Sequence, residues 1–176
     1  PGTITSSQAL DETKNNYLMA VVYTGNNYGI ATVDITTGDF FVTEVTSERA
    51  LLDEINKFTP SELVCNEALF MSGLDMDELK ERYHFAVTAL ENRFFSDDDC
   101  RKILKEHFHV MSLEGLGLGD YENGMIASGA VLQYLYETQK NDLSHLTKIT
   151  PYTTGQFMMI DTSTRRNLEL VETLRE

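Results

Sequence analysis

Aspartates at two places in the sequence could bind a divalent metal ion. Asp34 lies in a strand-like run just before the turn sequence TTG, and the aspartates at 97–99 fall in the first turn of a predicted helix. Metal-dependent cleavage of nucleic acids needs several carboxylates around two ions, beginning with one in the first strand, yet the run at 17–23 (YLMAVVY) contains no acid. Both acidic sites also have a structural explanation, because aspartate forms turns and an acidic first turn complements the helix dipole. We therefore predict neither a metal site nor a catalytic residue.

The cysteines and histidines do not form a metal-ligand pattern. Cys65 lies in an apolar run, which favours a small buried side chain, and Cys100 follows the acidic triplet, which would raise its thiol pKa. His107 and His109 are two residues apart, a spacing that puts them on different faces of a helix. Two isolated cysteines do not make a disulfide framework, so we expect a reducing, cytoplasmic location.

Nucleotide-binding motifs are absent from the sequence. The glycine-rich stretch 113–120 (LEGLGLGD) has no phosphate-loop lysine, and no G-x-x-x-x-G-K-[ST] string occurs. We therefore predict no bound cofactor. No apolar run approaches the roughly 20 residues that cross a bilayer, and residues 1–16 lack the basic and apolar regions of a signal peptide.

The chain is strongly acidic. It has 28 acidic and 14 basic residues, a net charge of −14, and residues 1–120 alone have 21 acids and 9 bases. A surface of this sign repels the phosphate backbone, which dominates affinity for nucleic acid. We therefore expect weak or no DNA binding by this chain alone.

Strand-like and helical runs alternate along the first part of the chain. Three strand-like runs, separated by the turn sequences TGNN and TTG, predict an antiparallel meander. Two more strands each follow a helix, and the order β-β-β-α-β-α-β-α is that of a ribonuclease H-like α/β fold. The predicted strands cover residues 17–23, 28–35, 39–45, 62–66 and 85–90. The predicted helices run from a Thr46 or Ser47 cap to about Phe58, over 74–82, and onward from a Ser96 cap.

The character of the chain changes after the glycine-rich stretch. The pattern of residues 121–140 predicts a long helix, and Gly129 within it would allow this helix to pack closely on a neighbouring element. A polar crossing segment follows, and a last helix begins at Ser163 or Thr164. We place a domain boundary near residue 120. The two predicted domains are a ribonuclease H-like domain at 1–120 and a helical segment at 121–176.

Several strings resemble bacterial DNA mismatch repair proteins of the MutS family. GAVLQYLYETQ (129–139) and LSHL (143–146) resemble the start of the family's core, or lever, domain. PGT (1–3), LMAVVY (18–23) and ATVDITTGDF (31–40) resemble the opening of its connector domain. The most specific string is the family's D-x-x-T-R-R-N-L-E pattern. It is matched by Asp161, Thr164, Arg165, Arg166, Asn167, Leu168 and Glu169.

The resemblance implies a role within a larger protein. The intact MutS-type protein is a dimeric clamp that recognises mispaired or unpaired bases in DNA and uses ATP to change state. Its connector domain joins the mismatch-reading domain to the core and contacts MutL. The chain starts without methionine and ends in a helix-like run, which also indicates a piece of a longer protein. We expect a non-catalytic module that transmits signals between other MutS domains, with ATP and Mg²⁺ bound in an ATPase domain outside it.

Arg165, Arg166 and Glu169 are the candidate residues for an interdomain contact. Arg165 and Glu169 are four residues apart, which fits an ordinary ion pair on one helix. Adjacent arginines at a helix N-terminus oppose the helix dipole, however, which suggests an acidic partner on another domain. Both interpretations stay open, and a DNA contact is less favoured because the surroundings are acidic.

Two other functions stay open beside the MutS interpretation. One is an orphan ribonuclease H-like nuclease, which would depend on Asp34 and a divalent metal ion. The other is a structural spacer that binds no partner. Cleavage of labelled nucleic acid, or surface substitutions that change neither partner binding nor repair, would distinguish them.

Overall fold

A mixed six-stranded sheet forms the centre of the fold, and the computed structural model describes residues 16–139 and 142–154. Its strands are β1 (Tyr17–Tyr23), β2 (Tyr28–Asp34), β3 (Asp39–Val45), β4 (Glu62–Cys65), β5 (Ala86–Ala89) and β6 (Thr150–Pro151). The order across the sheet is β5-β4-β1-β2-β3-β6. Strands β1 to β3 form the predicted antiparallel meander, whereas β4 runs parallel to β1, β5 to β4 and β6 to β3. This topology confirms the predicted ribonuclease H-like α/β fold.

Helices cover both faces of the sheet. The α-helices of the described residues are α1 (Glu48–Phe58), α2 (Glu67–Phe70), α3 (Met76–Tyr83), α4 (Asp97–Phe108) and α5 (Glu122–Thr138). Helices α1, α2 and α3 pack on one face, and α4 and α5 pack on the other. No helix in this part of the chain is both long and apolar enough to span a membrane.

The predicted helix caps are present. Ser47 Oγ accepts a hydrogen bond from the Ala50 amide at 3.1 Å, and Ser96 Oγ accepts one from the Asp99 amide at 3.4 Å. Each bond satisfies an amide that has no partner within its own first turn. Helix α1 ends at Phe58, and the next residue, Thr59, has a φ of 41° that turns the chain before Pro60.

Alternation along the strands builds two separate cores. In β1, Ala20 and Val22 face α4 and α5, whereas Met19 and Val21 face α1. The strand is buried on both faces, as expected of an almost wholly apolar run in the middle of a sheet. Each core therefore depends on the same central strands, so helices on both faces stabilise one sheet.

Glycines bring α5 into close contact with its neighbours. A Cβ atom at Gly29 in β2 would lie 2.2 Å from the Asn123 carbonyl oxygen, and one at Gly129 would lie 2.3 Å from the Cys100 Cβ atom. The close packing predicted for Gly129 is confirmed, and its neighbour is α4. Helix α5 packs on the sheet and shares one hydrophobic core with it. Tight packing therefore continues across the predicted boundary near residue 120. The second predicted domain, 121–176, continues from α5 into residues that the structure does not describe.

The elements differ from the prediction mainly at their ends. Strand β2 stops at Asp34 rather than at residue 35, and α3 begins at Met76 rather than at residue 74, where Asp75 forms the cap. The prediction had no counterpart for α2 or β6. Both are too short to show a hydrophobic period. The predicted last helix lies outside the described residues.

Candidate interaction surface

The centre of the sheet, where a metal-dependent nuclease would need carboxylates, is apolar. Strands β1 and β4 are paired there, and Ala20, Val22 and Val64 point to the face covered by α5. On the other face Leu63 and Cys65 are buried under the helices. Within residues 16–139 and 142–154, no three histidine, cysteine or acidic side chains are grouped closely enough to hold a metal ion.

Asp34 closes the turn between β2 and β3. Its side chain is completely buried, and Oδ1 accepts hydrogen bonds from the amides of Thr36 at 2.8 Å and Thr37 at 3.4 Å. Its Oδ2 atom accepts another from the Asn16 amide at 3.1 Å. The predicted role as a turn-forming residue is confirmed, and these backbone amides occupy both carboxylate oxygens.

The acidic triplet at 97–99 lies in the first turn of α4, as predicted. Asp97 pairs with Arg101 one turn later, at 2.5 Å. Burial, together with the charges of Asp97 and Asp99, raises the pKa of the Cys100 thiol to about 12. Burial alone raises the pKa of Cys65 to about 12. The predicted direction is confirmed for Cys100, although burial is the larger cause.

The two neighbouring histidines have different surroundings. His109 follows the last residue of α4 in a left-handed conformation, with a φ of 58°. The His107 ring contacts the Leu146 carbonyl through Nε2 at 2.8 Å and the Tyr136 hydroxyl through Nδ1 at 2.6 Å. A carbonyl can only accept, so Nε2 donates, and in the neutral ring Nδ1 accepts from the hydroxyl. His107 therefore ties α4 to the segment after α5, and does not pair with His109.

Glu44 caps α5 from a neighbouring strand, a role that the sequence did not predict. Its Oε2 atom accepts hydrogen bonds from the amides of Asn123 at 2.7 Å and Gly124 at 2.9 Å. A carboxylate at this position satisfies two free amides and complements the positive end of the helix dipole. The only sequence signal is an acid near the end of β3, on the same strand face as Phe40 and Val42, and a single acid near a strand end is common.

Removal of the Glu44 carboxylate is expected to destabilise the fold. Glu44→Ala should lower the free energy of unfolding by about 1–2 kcal/mol, because two helix amides lose their acceptor. Glu44→Gln should cost less, about 0.5–1 kcal/mol, since the amide oxygen still accepts but carries no charge. Urea unfolding measures both, with exposed Glu106→Ala as the control. Equal losses for Glu44→Ala and Glu106→Ala would contradict the capping role.

Exposed apolar side chains occur at three places on the described surface. Phe70 is 44% exposed and Met71 is 84% exposed at the end of α2, Met111 is 94% exposed after α4, and Tyr136 is 51% exposed on α5. Isolated exposed apolar residues are common on any protein. An adjacent pair of them in strongly charged surroundings is more informative, and only Phe70 and Met71 are neighbours in the chain.

We call residues 67–81, which contain Phe70 and Met71, the acidic tip. Its exposed acids are Glu67, Asp75, Asp77, Glu78 and Glu81, against the single base Lys80. Asp75 caps α3, and Glu78 pairs with Arg82, which follows the tip in the chain. The remaining acids, Glu67, Asp77 and Glu81, flank the exposed Phe70–Met71 pair in the chain. Such a surface is suited to a partner with basic side chains around an apolar pocket.

The predicted interdomain residues cannot be placed. Arg165, Arg166 and Glu169 lie outside the described residues, so their contact stays a prediction. The acidic tip was not predicted, because the sequence alone does not distinguish an exposed methionine such as Met71 from a buried one such as Met76.

Comparison with known proteins identifies the family. A family model described as MutS domain II matches residues 16–147. The chain belongs to the MutS domain II family. The resemblance predicted from the sequence is therefore confirmed, and the matched residues include α5 as well as strands β1 to β5.

Relatives of this MutS domain II chain match it from end to end. The DNA mismatch repair protein MutS of Lachnoclostridium phytofermentans is 59% identical over 176 residues, covering 100% of the chain and 19% of the relative. That of Ruminiclostridium cellulolyticum is 45% identical over 179 residues, covering 100% of the chain and 20% of the relative. The chain therefore spans about a fifth of the length of these relatives. Among solved structures, T. thermophilus RuvC in complex with a Holliday junction substrate has a TM-score of 0.47 at 8% identity, covering 70% of this chain and 96% of that one.

Proposed function

We propose that this chain is the connector portion of a DNA mismatch repair protein of the MutS type. There it is a non-catalytic module that transmits signals between the mismatch-binding and ATPase domains and offers a docking surface for MutL. The observation that carries the proposal is the 59% identity along the entire chain to a protein named DNA mismatch repair protein MutS. The intact protein would be a cytoplasmic homodimer that binds mismatched DNA, with ATP and Mg²⁺ in another domain. Arg165, Arg166 and Glu169 would contact one of those other domains.

The acidic tip is the docking surface that the structure supports best. Its charge disfavours the DNA backbone as a partner, because the two would repel each other. A protein with basic side chains would instead be attracted over a distance of about 10 Å at moderate salt. Phe70 and Met71 would add the apolar contact that such an interface needs at its centre.

Two exposed methionines provide a matched test of docking. Met71→Ser in the intact protein should weaken MutL binding about tenfold, because the apolar centre of the interface is lost. Met111→Ser should leave binding unchanged, since Met111 is at least as exposed but lies outside the acidic tip. Neither substitution removes a buried contact, so both variants should fold normally. Binding is measured by surface plasmon resonance with immobilised MutL.

Salt dependence separates this surface from other contacts. Binding of the wild type should weaken as ionic strength rises, and Asp77→Asn with Glu81→Gln should reduce that dependence. No interaction with MutL at any salt concentration would refute docking by this domain. If Met71→Ser bound MutL as tightly as Met111→Ser, docking would occur elsewhere on the protein.

A further inference from the structure

The segment after α5 passes around the β3 edge of the sheet. We call residues 142–154 the strap. Its first part contributes Leu143, Leu146 and Ile149 to the core beneath α4 and α5. Its last part contributes Tyr152 to the opposite core, against α1. The strap therefore crosses from one face of the sheet to the other, and residues 155–176 follow it in the chain.

Strand pairing, hydrogen bonds and a ring contact join the last part of the strap to β3. Strand β6 pairs with β3 over two residues. The Tyr152 amide donates to the Val42 carbonyl at 2.9 Å, and the Tyr152 carbonyl accepts from Thr43 Oγ1 at 2.7 Å. The Tyr152 ring stands edge-on to Phe41, with centroids 6.3 Å apart.

The Tyr152 side chain ends in a buried polar cluster on α1. Its hydroxyl donates to Glu54, whose side chain is almost completely buried. Lys57 lies 3.2 Å from the same carboxylate and 4.8 Å from the centroid of the Tyr152 ring. We call these three side chains the latch. Burial and the Glu54 charge both raise the pKa of Tyr152, so its hydroxyl keeps the proton that it donates.

A buried polar cluster of this kind selects one position of the strap but adds little to the free energy that keeps the strap there. Burial of Glu54 and Lys57 costs solvation free energy, which their mutual attraction and the Tyr152 hydroxyl roughly offset. When Tyr152 leaves, both charges regain water, so opening recovers much of that cost. An apolar anchor of the same volume would recover nothing on opening, because its burial is favourable throughout. The latch is therefore specific when closed and comparatively easy to open.

We propose that the latch of Tyr152, Glu54 and Lys57 fixes the strap to α1, and that its opening is the step at which this domain changes its attachment to the chain that follows. The inference rests on the signalling role proposed above and places the passage of that signal at one point in the fold. Tyr152 acts here as a positioning residue for the strap.

The test compares three variants of the intact protein by hydrogen exchange with mass spectrometry, in peptides that cover the strap. Tyr152→Phe removes the hydroxyl and should speed exchange about tenfold, because the Glu54 carboxylate loses a buried donor. The triple variant Tyr152→Phe, Glu54→Leu, Lys57→Met replaces the cluster with apolar side chains and should slow exchange to the wild-type rate or below it. Tyr134→Phe is the matched control, because its hydroxyl donates to Glu62 at 2.5 Å but lies away from the strap.

The same measurement with and without ATP, on mismatched DNA, tests the role in signalling. The wild type should show a nucleotide-dependent change in strap exchange. Tyr152→Phe and the triple variant should both lose that change, the first because the hydroxyl that closes the latch is missing and the second because the apolar cluster no longer opens. One of these variants speeds strap exchange and the other slows it. If Tyr152 only stabilised the fold, the two would not both abolish the nucleotide-dependent change.

Three results would overturn the proposal. The first is strap exchange in Tyr152→Phe that is no faster than in Tyr134→Phe. The second is faster strap exchange in the apolar triple variant than in the wild type. The third is a nucleotide-dependent change that persists in both latch variants. If the wild type shows no nucleotide-dependent change anywhere in residues 16–154, the proposed signalling function itself fails. The ranking of the three variants would still show whether the latch holds the strap, so the two failures are distinguishable.

Discussion

Replacement of Gly129 by valine should cost at least about 3 kcal/mol of the free energy of unfolding. A Cβ atom there would lie 2.3 Å from the Cys100 Cβ atom and 2.6 Å from its Cα atom. Backbone atoms of a packed helix cannot yield as the end of a flexible side chain can, so α4 and α5 must separate. A domain of this size is stable by about 5–15 kcal/mol, and a loss of this magnitude should be visible as a large shift of the urea midpoint.

Gly115→Ala is the matched control for this prediction. A Cβ atom at Gly115 would meet only the Val110 side chain, at the ordinary contact distance of 3.7 Å. Its effect on the urea midpoint should therefore be small. Comparable losses for Gly129→Val and Gly115→Ala would show that the α4–α5 contact is looser than the structure indicates.

The same close packing bears on the proposed function. Helix α5 is fixed to β2 through Gly29, to α4 through Gly129 and to β3 through Glu44. A helix held at three places moves with the sheet as one body, because no single contact can slip without the others. In the function proposed above, movement relative to the rest of a longer protein would occur outside this unit, and the strap is the described segment that follows α5. Tyr152 of the latch lies in that segment.

The parts of the fold that could be predicted from the sequence are those with a local cause. The meander of β1 to β3 follows from apolar runs between turn sequences, and its first and third strands were predicted with their observed bounds. The helix starts at Ser47 and Ser96 follow from the hydrogen bond that serine offers to a free amide. Asp34 was assigned its turn by the same reasoning.

The parts that could not be predicted depend on residues far apart in the chain. Strand β6 exists only because Thr150 meets Phe41 in β3, and nothing in its own two residues requires a strand. The predicted domain boundary near residue 120 followed the glycine-rich stretch at 113–120, yet Leu113 and Leu118 are buried in the core with α5. Composition alone does not show that a glycine-rich turn is packed.

The candidate surface shows the same limit. Phe70 and Met71 follow Leu69 in an apolar string, and only the structure shows that Leu69 alone is buried. The latch was also not predicted, because Tyr152 and Glu54 are 98 residues apart in the chain. Carboxylates and tyrosines are common enough that no spacing identifies such a pair.

Stability should fall steeply as the pH rises above 9. Burial raises the pKa of both thiols, Cys65 and Cys100, from an ordinary 9.0 to about 12. Between these values the folded state keeps protons that the unfolded state has lost, so the free energy of unfolding decreases with rising pH. The stabilisation is fully present below pH 9 and is lost as the pH approaches 12. At about pH 11 the loss amounts to roughly 3 kcal/mol for each thiol.

Serine at both positions tests this origin, because its hydroxyl does not titrate in this range. Urea unfolding of the wild type and of the Cys65→Ser, Cys100→Ser variant, measured from pH 8 to 10.5, gives the slope of the unfolding free energy against pH. The variant should be less stable at pH 8 yet have the shallower slope, smaller by nearly two protons at the alkaline end. Some slope should remain, since burial also raises the pKa of Tyr134 to about 12 and that of Tyr152 further. Parallel slopes in the two proteins would mean that the thiols reach water in the folded state, which buried positions on β4 and α4 do not allow.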